Sequence, residues 1–117
     1  MENLFFDEKG GVLTASVRGE LDHFLAASVR ARIDAEVDAR SPSSLVLDIS
    51  GTSFMDSSGL GLIMGRYSAC RRTGVAFILA GADERALKIL DLAGLRSVID
   101  VRDTKKGSET NEKKAVQ

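Results

Sequence analysis

The sequence predicts an α/β domain built on one small, mixed, mostly parallel β-sheet with helices packed against it. Short apolar runs typical of buried strands alternate with segments whose apolar residues recur at helical spacing. The chain has 117 residues, enough for one core and too few for two. The predicted order is β-β-α-β-α-β-α-β. Strands joined through helices need crossover connections, so these strands should be parallel, with the N-terminal strand added antiparallel.

The N-terminal elements are a predicted hairpin and a long helix. Residues 4–6 and 12–17 are extended apolar runs on either side of a polar, glycine-bearing turn, which is typical of a β-hairpin. Asp22 stands where a helix cap would stand. Beyond it, apolar residues fall on one stripe of a helix over 23–39.

The remaining chain alternates between strands and helices. Phe54 lies in a loop in this prediction, and its large apolar side chain is assigned to the core. The predicted elements are a strand at 45–49, a loop at 50–53, a helix ending at Gly74, a strand at 75–80, a short helix between Asp83 and Gly94, and a strand at 97–101.

Charge and composition exclude several classes of protein. Sixteen Lys and Arg side chains against 17 Asp and Glu leave a net charge of −1, whereas a domain that neutralises duplex phosphates is normally basic. Nucleic acid is therefore not expected as a direct partner. No apolar stretch is long enough to span a bilayer, and the N-terminus lacks a secretory signal pattern. We therefore expect a soluble cytoplasmic protein with no membrane partner.

The sequence divides into a globular part, 1–101, and a polar tail, 102–117. The tail holds five basic and three acidic side chains and has no apolar period. A segment of this composition buries too little apolar surface to fold. We therefore expect the tail to be disordered and dispensable.

Most of the groups that hydrolases and metal centres need are missing from this chain. A nucleophilic serine or cysteine needs a neighbouring base, and the one histidine, His23, is expected as a partly exposed neighbour of a helix cap. The single cysteine, Cys70, falls on the apolar face of its helix, which favours a core position. One His and one Cys make a soft-metal site improbable. We therefore expect no enzymatic activity, metal or cofactor.

Three glycines precede or open the second predicted helix, where a dinucleotide-binding turn would lie. Gly59, Gly61 and Gly65 have the spacing G-x-G-x-x-x-G, one residue longer than the dinucleotide fingerprint, and no Walker lysine follows. A cofactor is therefore not favoured. Gly61 and Gly65, four residues apart, are expected instead to let another backbone pack closely on that helix face.

Asp56, Ser57 and Ser58 stand at the start of the second predicted helix. One of them is expected to cap it. A serine in the first turn of a helix presents its hydroxyl beside free backbone N–H groups and the positive end of the helix dipole. A phosphate there would add about −1.5 to −2 charges beside Asp56, which the fold tolerates and a protein interface does not. The position therefore suits a phosphorylation switch.

Two strings of residues carry a resemblance to a known family. GELD at 19–22 and SFMDSSGLG at 53–61 resemble the STAS domains that act as anti-sigma factor antagonists, above all those that act in sporulation. The longer string is the specific one, and the likeness runs over about residues 4–101.

The resemblance implies a mechanism of partner exchange. Such proteins bind an anti-sigma factor that is also a serine kinase, and so release the sigma factor. The kinase then phosphorylates the serine after the motif's aspartate, which is Ser57 here, and tight binding is lost until a serine phosphatase restores it. Asp22 would lie beside the phosphorylation loop, and Asp56, Ser58 and Gly59 would surround the acceptor.

Two other interpretations remain open. A STAS domain can serve as a scaffold or ligand-binding module in a signalling or lipid-transport complex, where binding would be indifferent to phosphate on Ser57. A nucleotide-hydrolysing enzyme would instead show ATP or GTP turnover that is lost when Asp56 or Ser57 is changed.

Overall fold

The computed structural model describes residues 3–103, and its order of elements is the predicted one. The strands are β1 (Leu4–Lys9), β2 (Val12–Leu21), β3 (Ser44–Met55), β4 (Ala76–Ala80) and β5 (Asp100–Arg102). The helices are α1 (His23–Arg40), α2 (Ser57–Thr73) and α3 (Glu84–Leu92).

The five strands form one sheet in the order β1-β2-β3-β4-β5. β1 and β2 pair antiparallel as a hairpin, whereas β2, β3, β4 and β5 pair in parallel with their neighbours. Each parallel pair is joined through one helix, as crossover connections require. The predicted mixed, mostly parallel sheet is thereby confirmed.

One hydrophobic core lies between the sheet and the helices. Alternate residues of the strands enter it, since successive side chains of a strand point to opposite faces. Cys70 is buried, as its place on the apolar face of α2 predicted. The fully buried side chains are Leu13, Val17 and Leu21 from β2, Leu45, Leu47 and Ile49 from β3, Leu79 from β4, and Val29, Ile33, Ile63 and Leu90 from the helices.

Each helix begins at an aspartate whose carboxylate accepts a backbone hydrogen bond from the first turn. Asp22 accepts from the Leu25 N–H at 3.0 Å, and Asp83 accepts from the Ala86 N–H at 2.8 Å. Asp56 caps α2 in the same way. Such caps satisfy N–H groups that have no partner within the helix. Because α1, α2 and α3 each follow a parallel strand, all three start near the edge of the sheet where those strands end.

The prediction of a loop at 50–53 is wrong, because β3 continues through these residues to Met55. The outer half of β3 pairs with the end of β2, where Leu21 and Met55 are register partners. Register shifts on both sides of Gly19, which has a φ of 101°, accommodate the extension. Pairing with β2 thus keeps a polar segment extended, although its composition is typical of a loop.

Phe54 lies on the surface rather than in the core, contrary to the prediction. Its side chain is 43% exposed, whereas Met55 is 7% exposed. Only one of two consecutive strand residues can face the core. The extension of β3 assigns that inward position to Met55.

The C-terminal part of the described chain also differs from the prediction. The sequence predicts the last strand at 97–101, whereas β5 spans Asp100–Arg102. Residues 95–98 turn before it, and the Val98 N–H donates to the Leu95 carbonyl at 3.0 Å. Residues 104–117 of the predicted tail lie outside the described residues, so their disorder stays a prediction.

Candidate functional site

The site predicted from the sequence lies where β2 and β3 end side by side. Leu21 and Met55 are register partners there, and neighbouring strands are about 4.8 Å apart. The next residue along each strand is an aspartate, Asp22 after β2 and Asp56 after β3. The structure therefore brings the two predicted carboxylates to adjacent positions at one edge of the sheet.

Asp56 is the N-cap of α2. Its backbone is extended, and its carboxylate accepts from the Ser58 N–H at 2.8 Å and from the Gly59 N–H at 3.4 Å. α2 begins with Ser57, which is exposed. The Ser57 hydroxyl therefore stands in solvent in the first turn of the helix, at the positive end of the helix dipole.

Asp22 plays the same structural part for α1. Its half-buried carboxylate accepts from the Leu25 N–H, and its own N–H donates to the Glu20 carbonyl at 2.9 Å. The bond from Leu25 fixes the carboxylate, and the bond to Glu20 fixes the backbone beside it. A fixed negative charge thus stands on each of the two strand ends that flank the start of α2.

Gly59 is a buried residue in the first turn of α2. A Cβ atom there would lie 3.0 Å from the Met55 Sδ and 3.2 Å from the Leu21 Cδ2, closer than ordinary packing allows. Glycine therefore lets α2 sit directly on the ends of β2 and β3. Because Gly59 has no side chain, it contributes to the site by allowing the first turn of α2, which carries Ser57, to take this position.

Gly61 and Gly65 do not provide the close approach that the sequence predicted. A Cβ atom built at either position meets nothing within 4 Å in the described structure. Their spacing places them on the same face of α2, where Gly61 is exposed, whereas Gly59 faces the sheet. The expectation that a backbone packs against Gly61 and Gly65 is therefore wrong.

A shallow groove of about 270 Å³ separates the N-terminal halves of α1 and α2. Ser58, half-buried, faces it from α2, and Arg30 brings a positive charge to it from α1. His23 also lines it and is exposed. The groove thus connects Ser58 of α2 with the first two turns of α1.

Three large apolar side chains that the sequence did not mark as a surface are exposed on the elements around Ser57. Phe24 is 82% exposed, Phe54 43% and Met64 44%. Phe24 is in the first turn of α1, and Met64 is two helical turns from Ser57 on α2. The sequence held a signal for Phe24, which lies off the apolar stripe of its helix.

The arrangement offers an exposed hydroxyl, fixed carboxylates and apolar contact surface. Among residues 3–103, no group of three His, Cys, Asp or Glu side chains could hold a metal ion. Over the same range, the helices are too short or too polar to cross a membrane. These features are typical of a place where a partner docks and where a modification can change that docking.

The model of the STAS domain family matches residues 5–107. The chain belongs to the STAS domain family. An anti-sigma F factor antagonist from Paenibacillus polymyxa is 34% identical to this STAS domain over 93 residues, which are 80% of each chain.

Solved structures show the same STAS fold. An anti-sigma factor antagonist from Mycobacterium paratuberculosis is 30% identical, with a TM-score of 0.69 over 85% of this chain and 83% of that one. The phosphorylated form of the Bacillus cell fate determinant SpoIIAA is 23% identical, with a TM-score of 0.72 over 97% of this chain and 99% of that one.

Proposed function

We propose that this STAS domain is an anti-sigma factor antagonist that works by partner exchange. Without phosphate it binds an anti-sigma factor that has serine kinase activity, and the sigma factor is released. Phosphorylation of Ser57 ends this binding, and a serine phosphatase restores it. The observation that carries the proposal is the exposed Ser57 directly after the Asp56 cap, in a chain 34% identical to an anti-sigma F factor antagonist.

The exposed apolar side chains around Ser57 supply the proposed docking surface, which consists of Phe24, Phe54 and Met64. Aromatic side chains in the middle of an interface commonly contribute most of its binding energy. Asp22, Asp56 and Ser58 lie beside this surface on the caps and first turn of the helices. The bound anti-sigma factor would therefore cover the Ser57 hydroxyl. Its own kinase activity could then phosphorylate this group.

A phosphate on Ser57 changes the binding surface more than it changes the fold. The start of α2 can accept a negative charge, because the helix dipole is positive there and the residue is exposed. In the complex the same group, with about −1.5 to −2 charges, lies beside Asp22 and Asp56. A hundredfold loss of affinity requires about 2.7 kcal/mol, and burying an unpaired charge can cost that much.

The proposed partners act on the sigma factor and its polymerase, so we expect the protein to work in the cytoplasm. It acts as a binding module in this scheme. It contacts neither nucleic acid nor a membrane, needs no cofactor and catalyses no reaction. Purified protein should accordingly turn over neither ATP nor GTP.

The proposal is tested by the affinity for an anti-sigma factor kinase from the same organism, measured by calorimetry without ATP. We expect Ser57→Asp to weaken binding by about a hundredfold, or about 2.7 kcal/mol, and Ser57→Ala to bind like the unmodified chain. Ser58→Ala is the matched control for the acceptor and should still be phosphorylated. Equal affinities for Ser57→Asp and Ser57→Ala would instead favour a STAS scaffold whose binding is indifferent to this position.

A further inference from the structure

A second cavity lies between the C-terminal halves of α1 and α2, away from the switch. Its volume is about 300 Å³, within the range of small-molecule sites. Arg66, which lines it, is nine residues beyond Ser57, or about 13 Å along the helix axis. Ile33 and Val37 of α1 and Leu45 of β3 give the cavity apolar walls.

Arg66 is the buried charged residue of the described chain, at 8% exposure. Its Nη1 donates to a carboxylate oxygen of Asp34, whose side chain is half exposed. The Nε atom is buried and has no hydrogen-bond partner among residues 3–103. A guanidinium group has five N–H donors, and a buried donor without an acceptor is costly. The structure therefore leaves the Nε–H of Arg66 without an acceptor, on a side chain that lines the cavity.

Four charged side chains line the cavity, and Arg66 and Arg72 are the positive ones. Burial lowers the pKa of Arg66, and the nearby positive charges of Arg30 and Arg72 lower it further. Burial also raises the pKa of the Cys70 thiol on the cavity wall, so the thiol stays neutral and contributes no negative charge. Asp34 and the exposed Asp38 are the acidic groups that line the cavity, and Asp34 is already paired.

We propose that this cavity binds a small organic anion that consists of a carboxylate on a short apolar body. The carboxylate accepts a hydrogen bond from the unpaired Nε–H of Arg66 after a small shift of the side chain, and Arg72 adds a second positive charge. The apolar body lies against Ile33, Val37 and Leu45. Charge-assisted bonds of this kind are the stronger class of hydrogen bond.

The test uses sodium hexanoate as the probe, titrated into the full chain at constant ionic strength and followed by ¹H–¹⁵N NMR. We expect saturable shifts of the amide signals that surround the cavity, with a dissociation constant of about 1 mM or lower. The neutral analogue 1-hexanol should bind at least about tenfold more weakly, as should inorganic phosphate, which lacks the apolar body.

Three variants locate the binding site. Arg66→Leu should weaken hexanoate binding by at least about tenfold, and Arg72→Gln, at an exposed position, by about threefold. Arg71→Gln is the matched control, since it removes the same charge from the same turn outside the cavity, where Arg71 donates to the Tyr67 hydroxyl at 2.9 Å.

Several results would overturn the proposal. They are shifts that do not saturate, equal binding of 1-hexanol or phosphate, and equal weakening by Arg71→Gln and Arg72→Gln. If Arg66→Leu does not fold, the pair Arg71→Gln and Arg72→Gln still decides, because both positions are exposed.

Discussion

Leu21 and Met55 are register partners at the ends of two parallel strands, and each is followed by an aspartate that caps a helix. Because the two strands end in step, α1 and α2 start side by side. The first turn of α2 carries the exposed Ser57, and the first turn of α1 carries the exposed Phe24. The acceptor hydroxyl and the exposed Phe24 side chain thus lie at the same edge of the sheet.

Changing Asp56 separates its capping role from its charge. Asp56→Ala should lower the free energy of unfolding by about 1 kcal/mol, because the Ser58 N–H loses its acceptor. Asp56→Asn keeps an acceptor of similar capping strength and should leave stability nearly unchanged. Urea denaturation measures both. Equal losses for the two variants would show that the charge, rather than the cap, stabilises α2.

Gly59→Ala and Gly61→Ala should have opposite effects on stability. The methyl group at 59 would press on Met55 and Leu21, and overpacking typically costs about 1–3 kcal/mol. The methyl group at 61 meets open space, and replacing a helical glycine by alanine stabilises by about 0.5–1 kcal/mol. Thermal unfolding compares the two. A stabilised Gly59→Ala would contradict the close packing described for the start of α2.

Phe24→Ala should weaken anti-sigma factor binding without affecting the fold. We expect the dissociation constant to rise by at least about tenfold, as for an aromatic residue central to an interface. The free energy of unfolding should change by less than about 0.5 kcal/mol, because the side chain is 82% exposed. Leu92→Ala is the control, since Leu92 is 86% exposed at the end of α3 and should not affect binding.

The stability of the protein should depend on pH through Cys70. Burial raises the pKa of this thiol above its ordinary value of 9.0, which the unfolded chain retains. The unfolded state therefore loses the proton first, and the free energy of unfolding falls as the pH rises through that value. Urea titrations at about pH 8 and about pH 10 measure this fall in the free energy of unfolding. It should be smaller for Cys70→Ala than for the unmodified chain. Identical decreases would mean that the thiol is not buried in solution.

The order of the elements could be predicted from the sequence, because apolar periodicity and capping residues act locally. The length of β3 could not. Residues 50–53 have the composition of a loop and are held extended by β2, which is about thirty positions earlier in the chain. The choice between Phe54 and Met55 for the core depends on that extension as well.

The site was more accessible to prediction than the surface around it. Ser57 and Asp56 stand in a specific string of residues, and their placement at the start of α2 follows from helix capping. The adjacency of Asp22 and Asp56 depends on the register of β2 and β3, which only the resemblance suggested. Exposure of Phe24 and Met64 depends on which helix faces the sheet covers, a tertiary property.

Phosphosite mapping tests the central claim most directly. The full chain is incubated with ATP and an anti-sigma factor kinase from the same organism, and its intact mass and modified peptide are determined. We predict one phosphate, located on Ser57, and none on Ser57→Ala under the same conditions. A phosphate on Ser58, or tight binding of the kinase with no phosphate transferred, would contradict the assignment of Ser57 as the switch.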